Sequence, residues 1–208
     1  MVDLSHLIEA GMETYPGLPG PVICDYWQRD AHNGFNVARM DMVVNTGTYI
    51  DAPFHRYPDR DDIAQLPLEQ VAALPGLCLR VTADVREISE SLLLGLSLQD
   101  HAVLLHTGWD KHWRTAAYTE VNPFLSVNAA QYLRAAGVAL VGIDSVNIDD
   151  RSQRARPVHE IPLKAGIPIV EHLTGLEQLP ADGFRFFAMP ARVRGVGSFP
   201  VRACAEIN

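Results

Sequence analysis

The sequence predicts an α/β fold in one domain, residues 1–208: a mixed β-sheet core with peripheral helices. Three observations carry this expectation. The apolar runs are short and several have the composition of strands. Helical stretches are fewer and interleave with the strands without a strict βαβ rhythm, which disfavours a doubly wound sheet. The chain of 208 residues is 48% hydrophobic and 20% charged, enough to bury a substantial core.

In chain order, VARMDMVV (37–44) alternates through Met40, Asp41 and Met42, the period of a strand with one buried face. LPLEQVAAL (66–74) sets Leu68, Val71 and Ala72 at helical spacing, and CLRVTADV (78–85) is strand-like through Val81, Thr82 and Val85. AVLLHT (102–107) and VALVGI (138–143) are continuous apolar runs of strand length. A helix is predicted in DKHWRTAAY after Trp109, where Trp109 and Trp113 would share one face. Another is predicted in VNAAQYLRAAG, capped by Ser126 or Asn128 and ended by Gly137. RFFAM (185–189) and FPVRACA (199–205) complete the strands. Pro162 and Pro168 argue against a long helix in HEIPLKAGIPIVEHL (159–173), so a turn around Lys164 to Gly166 is predicted. GVGSFP (195–200) lacks the third glycine and following helix of a dinucleotide loop. Prolines and glycines are dispersed, with no linker, internal repeat or low-complexity tract.

Acidic residues number 25 against 17 basic, a formal charge of -8, so a nucleic acid or an anionic membrane has no electrostatic footprint here. A small molecule or a protein is the expected partner. Cys24, Cys78 and Cys204 are odd in number and lack CxxC spacing, which argues against a disulfide framework and a zinc knuckle and suggests core thiols. No signal-like N-terminus and no run near the roughly 18 apolar residues of a membrane span is found, and the expected location is the cytoplasm.

Chemistry concentrates in two stretches. In NTGTYIDAPFH (45–55), Asn45, Tyr49, Asp51 and His55 fall on odd positions, although Gly47 and Pro53 prevent one uninterrupted strand. Asp51, before Ala-Pro, is held extended or in a turn. The second stretch offers His159, Glu160, Glu171 and His172, donors suited to zinc or manganese. Taken singly, each has a plainer explanation: Asp51 bonding in a turn with His55 on the surface, and a solvated turn bearing two adjacent charged pairs.

Together they resemble the metal-dependent cyclase family, which includes bacterial kynurenine formamidases (arylformamidases) and isatin hydrolases. Its signature is His-x-Gly-Thr-His-x-Asp-x-Pro-x-His, and residues 45–55 match five of the seven fixed positions, with Asn45 and Tyr49 replacing the first two histidines. Further landmarks follow in order: Asp-Leu-Ser-His (3–6), Tyr-Pro-Gly (15–17), Thr-Gly-Trp-Asp (107–110), Gly-Ile-Asp-Ser (142–145) and Gly-Ser-Phe-Pro-Val-Arg (197–202). His159 and Glu171 have the twelve-residue spacing of the family's distal ligands. The resemblance implies the family's α/β fold, a homo-oligomer, and hydrolysis of a small-molecule amide, lactam or lactone. It also implies Asp51, His159 and Glu171 as metal ligands and His55 as the proton-transfer residue.

The two replacements alter that inheritance. An amide oxygen is a weak ligand, and a phenol of pKa about 10 must lose its proton to bind well, so the first of the family's two metal sites is expected to be empty. One divalent metal, Zn or Mn, is expected on the remaining triad. Asn45 and Tyr49 become candidate catalytic residues, donating hydrogen bonds to a developing oxyanion. Two alternatives stay open: a non-catalytic small-molecule-binding protein, and a metal-free enzyme using Tyr49, Asp51 and His55. His101, His106 and His112 are expected in packing or on the surface, and His6 as a hydrogen-bonded structural residue. Asp149, Asp150, Arg151, Arg154 and Arg156 read as a solvated, mobile segment.

Overall fold

The structure, a computed structural model, describes residues 1–27, 34–82 and 84–207. Its strands are β1 (Val2–Asp3), β2 (Val22–Trp27), β3 (Val37–Asp41), β4 (Tyr49–Asp51), β5 (Leu74–Arg80), β6 (Glu87–Ile88), β7 (Ala102–His106), β8 (Phe124–Leu125), β9 (Leu140–Ile143), β10 (Ile169–Glu171), β11 (Phe184–Phe187), β12 (Ser198–Pro200) and β13 (Cys204–Ile207). The helices are α1 (Ala116–Glu120), α2 (Val127–Ala135) and α3 (Pro157–Lys164). Nine strands form one sheet in the order β1-β13-β11-β5-β7-β9-β10-β4-β12. Pairing is parallel from β5 through β7 and β9 to β10 and antiparallel towards both margins, the mixed sheet the sequence predicts.

Strands β12 and β13 belong to opposite margins, yet only residues 201–203 separate them. Such a link spans at most about 14 Å, so the sheet must curl until its margins approach. Backbone bonds from Leu4 N to Ala203 O and from Val201 N to Thr48 O, both 2.9 Å, tie the approach together. The strand period sorts side chains into two cores: Leu104 joins Leu4, Ile50, Leu173 and Phe186 on one face, while Val103 and Leu105 pack against Leu133 of α2 and Leu163 of α3 on the other.

Several local expectations change. The strand at 37–44 ends at Asp41 and pairs with β2, which the sequence did not reveal; both strands are exposed. The strand predicted at 78–85 runs instead from Leu74 to Arg80, and Ala83 lies outside the described residues. LPLEQVAAL yields only a short 3₁₀ turn at Leu68–Gln70, since Leu74 already enters β5. The run 199–205 divides into β12 and β13 at the crossing between margins. Trp109 and Trp113 do not share a helix face, because a 3₁₀ turn ends at His112 and Trp113 turns away to stack on His6 at 3.8 Å.

Ser126 is the cap of α2, its Oγ accepting from Ala129 N at 3.1 Å, and Gly137 (φ 71°) follows the helix end. The predicted turn near Lys164 is the end of a helix: α3 contains Pro162. Proline lacks one helical donor, but Pro157 suits the first turn, and Asp149 caps the start by accepting from Val158 N (2.8 Å) and His159 N (3.0 Å). Cys78 is buried as expected, whereas Cys24 is exposed on β2 and Cys204 is half-buried. No helix among the described residues is long and apolar enough to cross a membrane.

Candidate metal centre

The centre of the site is a register effect. Antiparallel pairing sets Tyr49 of β4 opposite Glu171 of β10, so their side chains share a face and the Tyr49 hydroxyl donates to Glu171 Oε2 at 2.6 Å. Asp51, two residues on, returns to that face. On its other side β4 pairs with β12, which brings Ser198 opposite Asp51, and Ser198 Oγ donates to Asp51 Oδ1. Helix α3 crosses above with His159, whose Nε2 lies 3.3 Å from Glu171 Oε1 and 3.7 Å from Asp51 Oδ2.

Asp51, His159 and Glu171 are 0%, 5% and 0% exposed, and one donor atom from each lies within 4.8 Å of the others. Glu171 Oε1 also accepts from Ile148 N at 2.7 Å. His159 Nδ1 lies 2.6 Å from Asp149 Oδ2, so the carboxylate holds the ring proton on Nδ1 and turns the Nε2 lone pair of the neutral ring towards the other two donors. Asp51 Oδ2 is buried without a hydrogen-bond partner among the described residues. One oxygen from each carboxylate, Asp51's being that orphaned Oδ2, and one imidazole nitrogen make three donors that fit a divalent cation.

The charges agree with a cation-sized demand. Burial raises the Asp51 pKa, with His55 opposing and Glu171 reinforcing that rise. Burial also opposes charge on Glu171, but His159 outweighs it and brings the group down to about 2. Burial disfavours a charged His159, yet Glu171, Asp149 and Asp51 together push its pKa well up. Without an ion, the three carboxylates around that ring favour its protonated form.

Asn45 and Tyr49 are engaged differently from a pair of free oxyanion donors. Burial and the neighbouring carboxylates push the phenol pKa well above 10, and its proton is directed to Glu171 while the Asn45 amide hydrogen-bonds the phenol oxygen. The Tyr49 hydrogen is thus committed; Asn45, with two amide hydrogens, keeps one for the cavity it lines. His55 closes a 3₁₀ turn at Pro53–His55, with Nδ1 2.8 Å from Ser198 Oγ. Because Ser198 gives its hydrogen to Asp51, His55 Nδ1 is the donor in that bond, and its Nε2 is left as the acceptor. A Cβ on Gly197 would meet the His55 backbone nitrogen at 2.5 Å, so glycine lets β12 approach this closely.

Asn45, Tyr49, His55, His159 and Glu171 line a cavity of about 290 Å³, with Asp51 and Ser198 behind its lining. Tyr49, Asn147, His159 and Glu171 are its buried lining; Tyr15, Leu18, Arg56 and Arg156 are its more exposed lining. The charged run after Asn147 is not uniformly solvated: Asp149 is buried beneath His159, and nothing in a run of two aspartates followed by three arginines distinguished it. Asn147 and Ser198 were also missed, although Ser198 lies within the closing Gly-Ser-Phe-Pro-Val-Arg landmark. His172 is not on a solvated turn; it is buried at φ 58° with its ring 5.2 Å from Tyr49 and 5.4 Å from Trp113. Glu160 instead pairs outward with Arg56. His6 is structural through stacking on Trp113 rather than through a hydrogen bond at Nε2, which is buried without a partner among the described residues. His101, His106 and His112 do not line the cavity; His106 contacts Arg80 at 2.6 Å.

A model of the Cyclase family matches residues 2–150. A kynurenine formamidase of Bacillus cereus is 27% identical over 203 residues, covering 97% of this chain and 95% of its own. Among solved structures, isatin hydrolase A from Labrenzia aggregata has a TM-score of 0.89 at 21% identity, covering 99% of this chain and 93% of its own. A predicted metal-dependent hydrolase from Bacillus stearothermophilus has a TM-score of 0.77 at 27% identity, covering 97% and 95% respectively. The curled mixed sheet is thus a shared fold, and the family match spans well over half of the 208 residues. The chain belongs to the Cyclase family.

Proposed function

We propose that the protein is a metal-dependent hydrolase that cleaves the carbon–nitrogen bond of a small amide or lactam, taking up water and releasing an amine and a carboxylic acid. The observation that carries this reading is the meeting of Asp51, His159 and Glu171 in a buried cluster, with Asp51 Oδ2 unpartnered and His159 oriented by Asp149. Kinship supports it: relatives across nearly the whole chain bear the names kynurenine formamidase and isatin hydrolase.

One divalent ion, Zn or Mn, is assigned to the triad. When bound, such an ion polarises a carbonyl and lowers the pKa of water toward ~7. The protein's own groups do the rest. His55, hydrogen-bonded through Nδ1 to Ser198, presents Nε2 to the cavity and carries the proton to the leaving nitrogen. Asn45 offers its remaining amide hydrogen to the carbonyl oxygen as negative charge develops. Tyr49 acts through Glu171, holding that carboxylate and excluding water beneath it.

A second reading is favoured by the spacing of the triad: His159 Nε2 lies 3.3 Å from Glu171 Oε1 and 3.7 Å from Asp51 Oδ2, ion-pair distances at which a protonated ring can balance the two carboxylates without an ion. In that case the chain is a metal-free enzyme relying on Tyr49, Asp51 and His55, or a small-molecule-binding protein. The exposed β2–β3 arm, with Tyr26, Trp27 and Met40, is the surface we assign to self-association, and the cytoplasm is the assigned location.

The test is hydrolysis of formanilide and of an isatin-type lactam by protein purified without chelators, beside His55→Ala and Asp51→Asn. The proposal expects turnover that falls by on the order of 10²-fold or more in His55→Ala. Turnover unaffected by either substitution would refute it, and tight ligand binding without any turnover favours the binding protein.

A further inference from the structure

We propose that the natural substrate is anionic, with a carboxylate at its non-reacting end received by Arg156. This rests on the reading of the cavity as an amide-hydrolase site. It concerns the opposite side of that cavity, to which no role has been given.

The chain carries a net charge of -8, yet the cavity's exposed lining includes Arg56 and Arg156 and no carboxylate. The two arginines are not equivalent. Arg56 is neutralised by Glu160, as Arg86 is by Asp150. Arg156 has no ion-pair partner among the described residues. Its Nη1 donates to the backbone carbonyls of Gln153, Ala155 (3.0 Å) and Asp150 (3.5 Å). Carbonyls fix a guanidinium without cancelling its charge. They leave the Nε and Nη2 edge, the planar fork that matches a carboxylate, without a protein partner among the described residues.

Two more features fit an aromatic acid. Tyr15 is held as a wall: Arg151 Nε donates to its hydroxyl at 3.1 Å and the Arg151 guanidinium lies 4.9 Å from the ring centroid. With Leu18 it gives the mouth an apolar surface, and about 290 Å³ suits one small ring system. An anionic ligand beside buried Asp51 and Glu171 needs a compensating charge, and Arg156 supplies one preorganised for it.

The experiment compares N-formylanthranilate with formanilide, which differ by one carboxylate, on wild-type enzyme, Arg156→Ala and Arg156→Lys. Calorimetric binding of benzoate to the same proteins gives a readout independent of turnover. Wild type should prefer the acid in kcat/KM by on the order of 10- to 100-fold, mainly through KM, and the preference should collapse towards unity in Arg156→Ala. Arg156→Lys should keep part of it, and benzoate affinity should fall in parallel. Equal handling of both formanilides by wild type, or benzoate binding unchanged in Arg156→Ala, overturns the inference while leaving the hydrolase reading intact. Arg156-dependent benzoate binding without turnover of either amide sustains it and defeats the hydrolase reading instead.

Discussion

Replacing Asp149 tests how this chain positions its imidazole. The carboxylate is buried and accepts from Val158 N at 2.8 Å, His159 N at 3.0 Å and His159 Nδ1 at 2.6 Å. Asp149→Ala removes a helix cap, about 0.5–2 kcal/mol, and a charge-assisted bond to a buried ring, about 1.5–3 kcal/mol. The sum, about 2–5 kcal/mol, is a large part of the roughly 5–15 kcal/mol of an ordinary domain. It corresponds to a fall in Tm of roughly 4–20 °C for a chain of this size. Asp149→Asn should keep one of the two cap bonds, since its amide oxygen in the Oδ1 place still accepts from Val158 N, whereas its amide nitrogen in the Oδ2 place can no longer accept from His159 N or hold the ring proton on Nδ1. Metal affinity should therefore drop about 10- to 100-fold with a smaller loss of Tm. Differential scanning calorimetry and a competitive zinc titration read the two effects separately. An Asp149→Asn protein that binds metal as tightly as wild type would refute the assignment of Asp149 as the group that orients His159.

Three other outcomes follow from the same geometry. Ser198→Ala breaks the link between His55 and Asp51 and should lower kcat by on the order of tenfold with little change in KM, while Ser198→Thr restores part of it; an unchanged kcat removes Ser198 from the positioning of His55. Gly197→Ala forces a Cβ to 2.5 Å from His55 N, and should reduce turnover more than it reduces Tm; full activity would show that β12 can recede without consequence. Burial lowers both His6 and His172 to about 4, so the folded state keeps them neutral while the unfolded chain protonates them near 6.5. Their contribution is present above pH 6.5 and lost as pH falls towards 4, up to about 3 kcal/mol for His172. Urea unfolding against pH should show this loss, flattened in His172→Asn, whose side chain tolerates the φ of 58°; an equal slope in the variant would contradict it.

The parts of the fold legible in the sequence are those where one physical signal dominates. β7 and β9 are continuous apolar runs because both faces are buried, and Ser126 and Gly137 bracket α2 as cap and stop. β4 and β10 are only three residues each, and their pairing across 120 positions leaves no local trace. Pro162 concealed α3, because proline's helix penalty is a local rule and the compensating cap comes from Asp149 outside the helix. The family resemblance brought Asp51, His159, Glu171 and His55 together on paper. It was silent about what holds them, since Asp149 sits in a charged run and Ser198 in a strand margin. The commitment of the Tyr49 proton to Glu171 likewise depends on register, which no spacing along NTGTYIDAPFH reveals.

The metal content of the purified protein tests the central claim most directly. Elemental analysis of wild type, Asp51→Asn and Glu171→Ala, prepared without chelators and assayed in parallel, should give about one Zn or Mn per active chain for wild type and a large loss of both metal and turnover in each variant. Wild-type protein that carries no metal and retains full turnover after dialysis against a chelator would contradict the account.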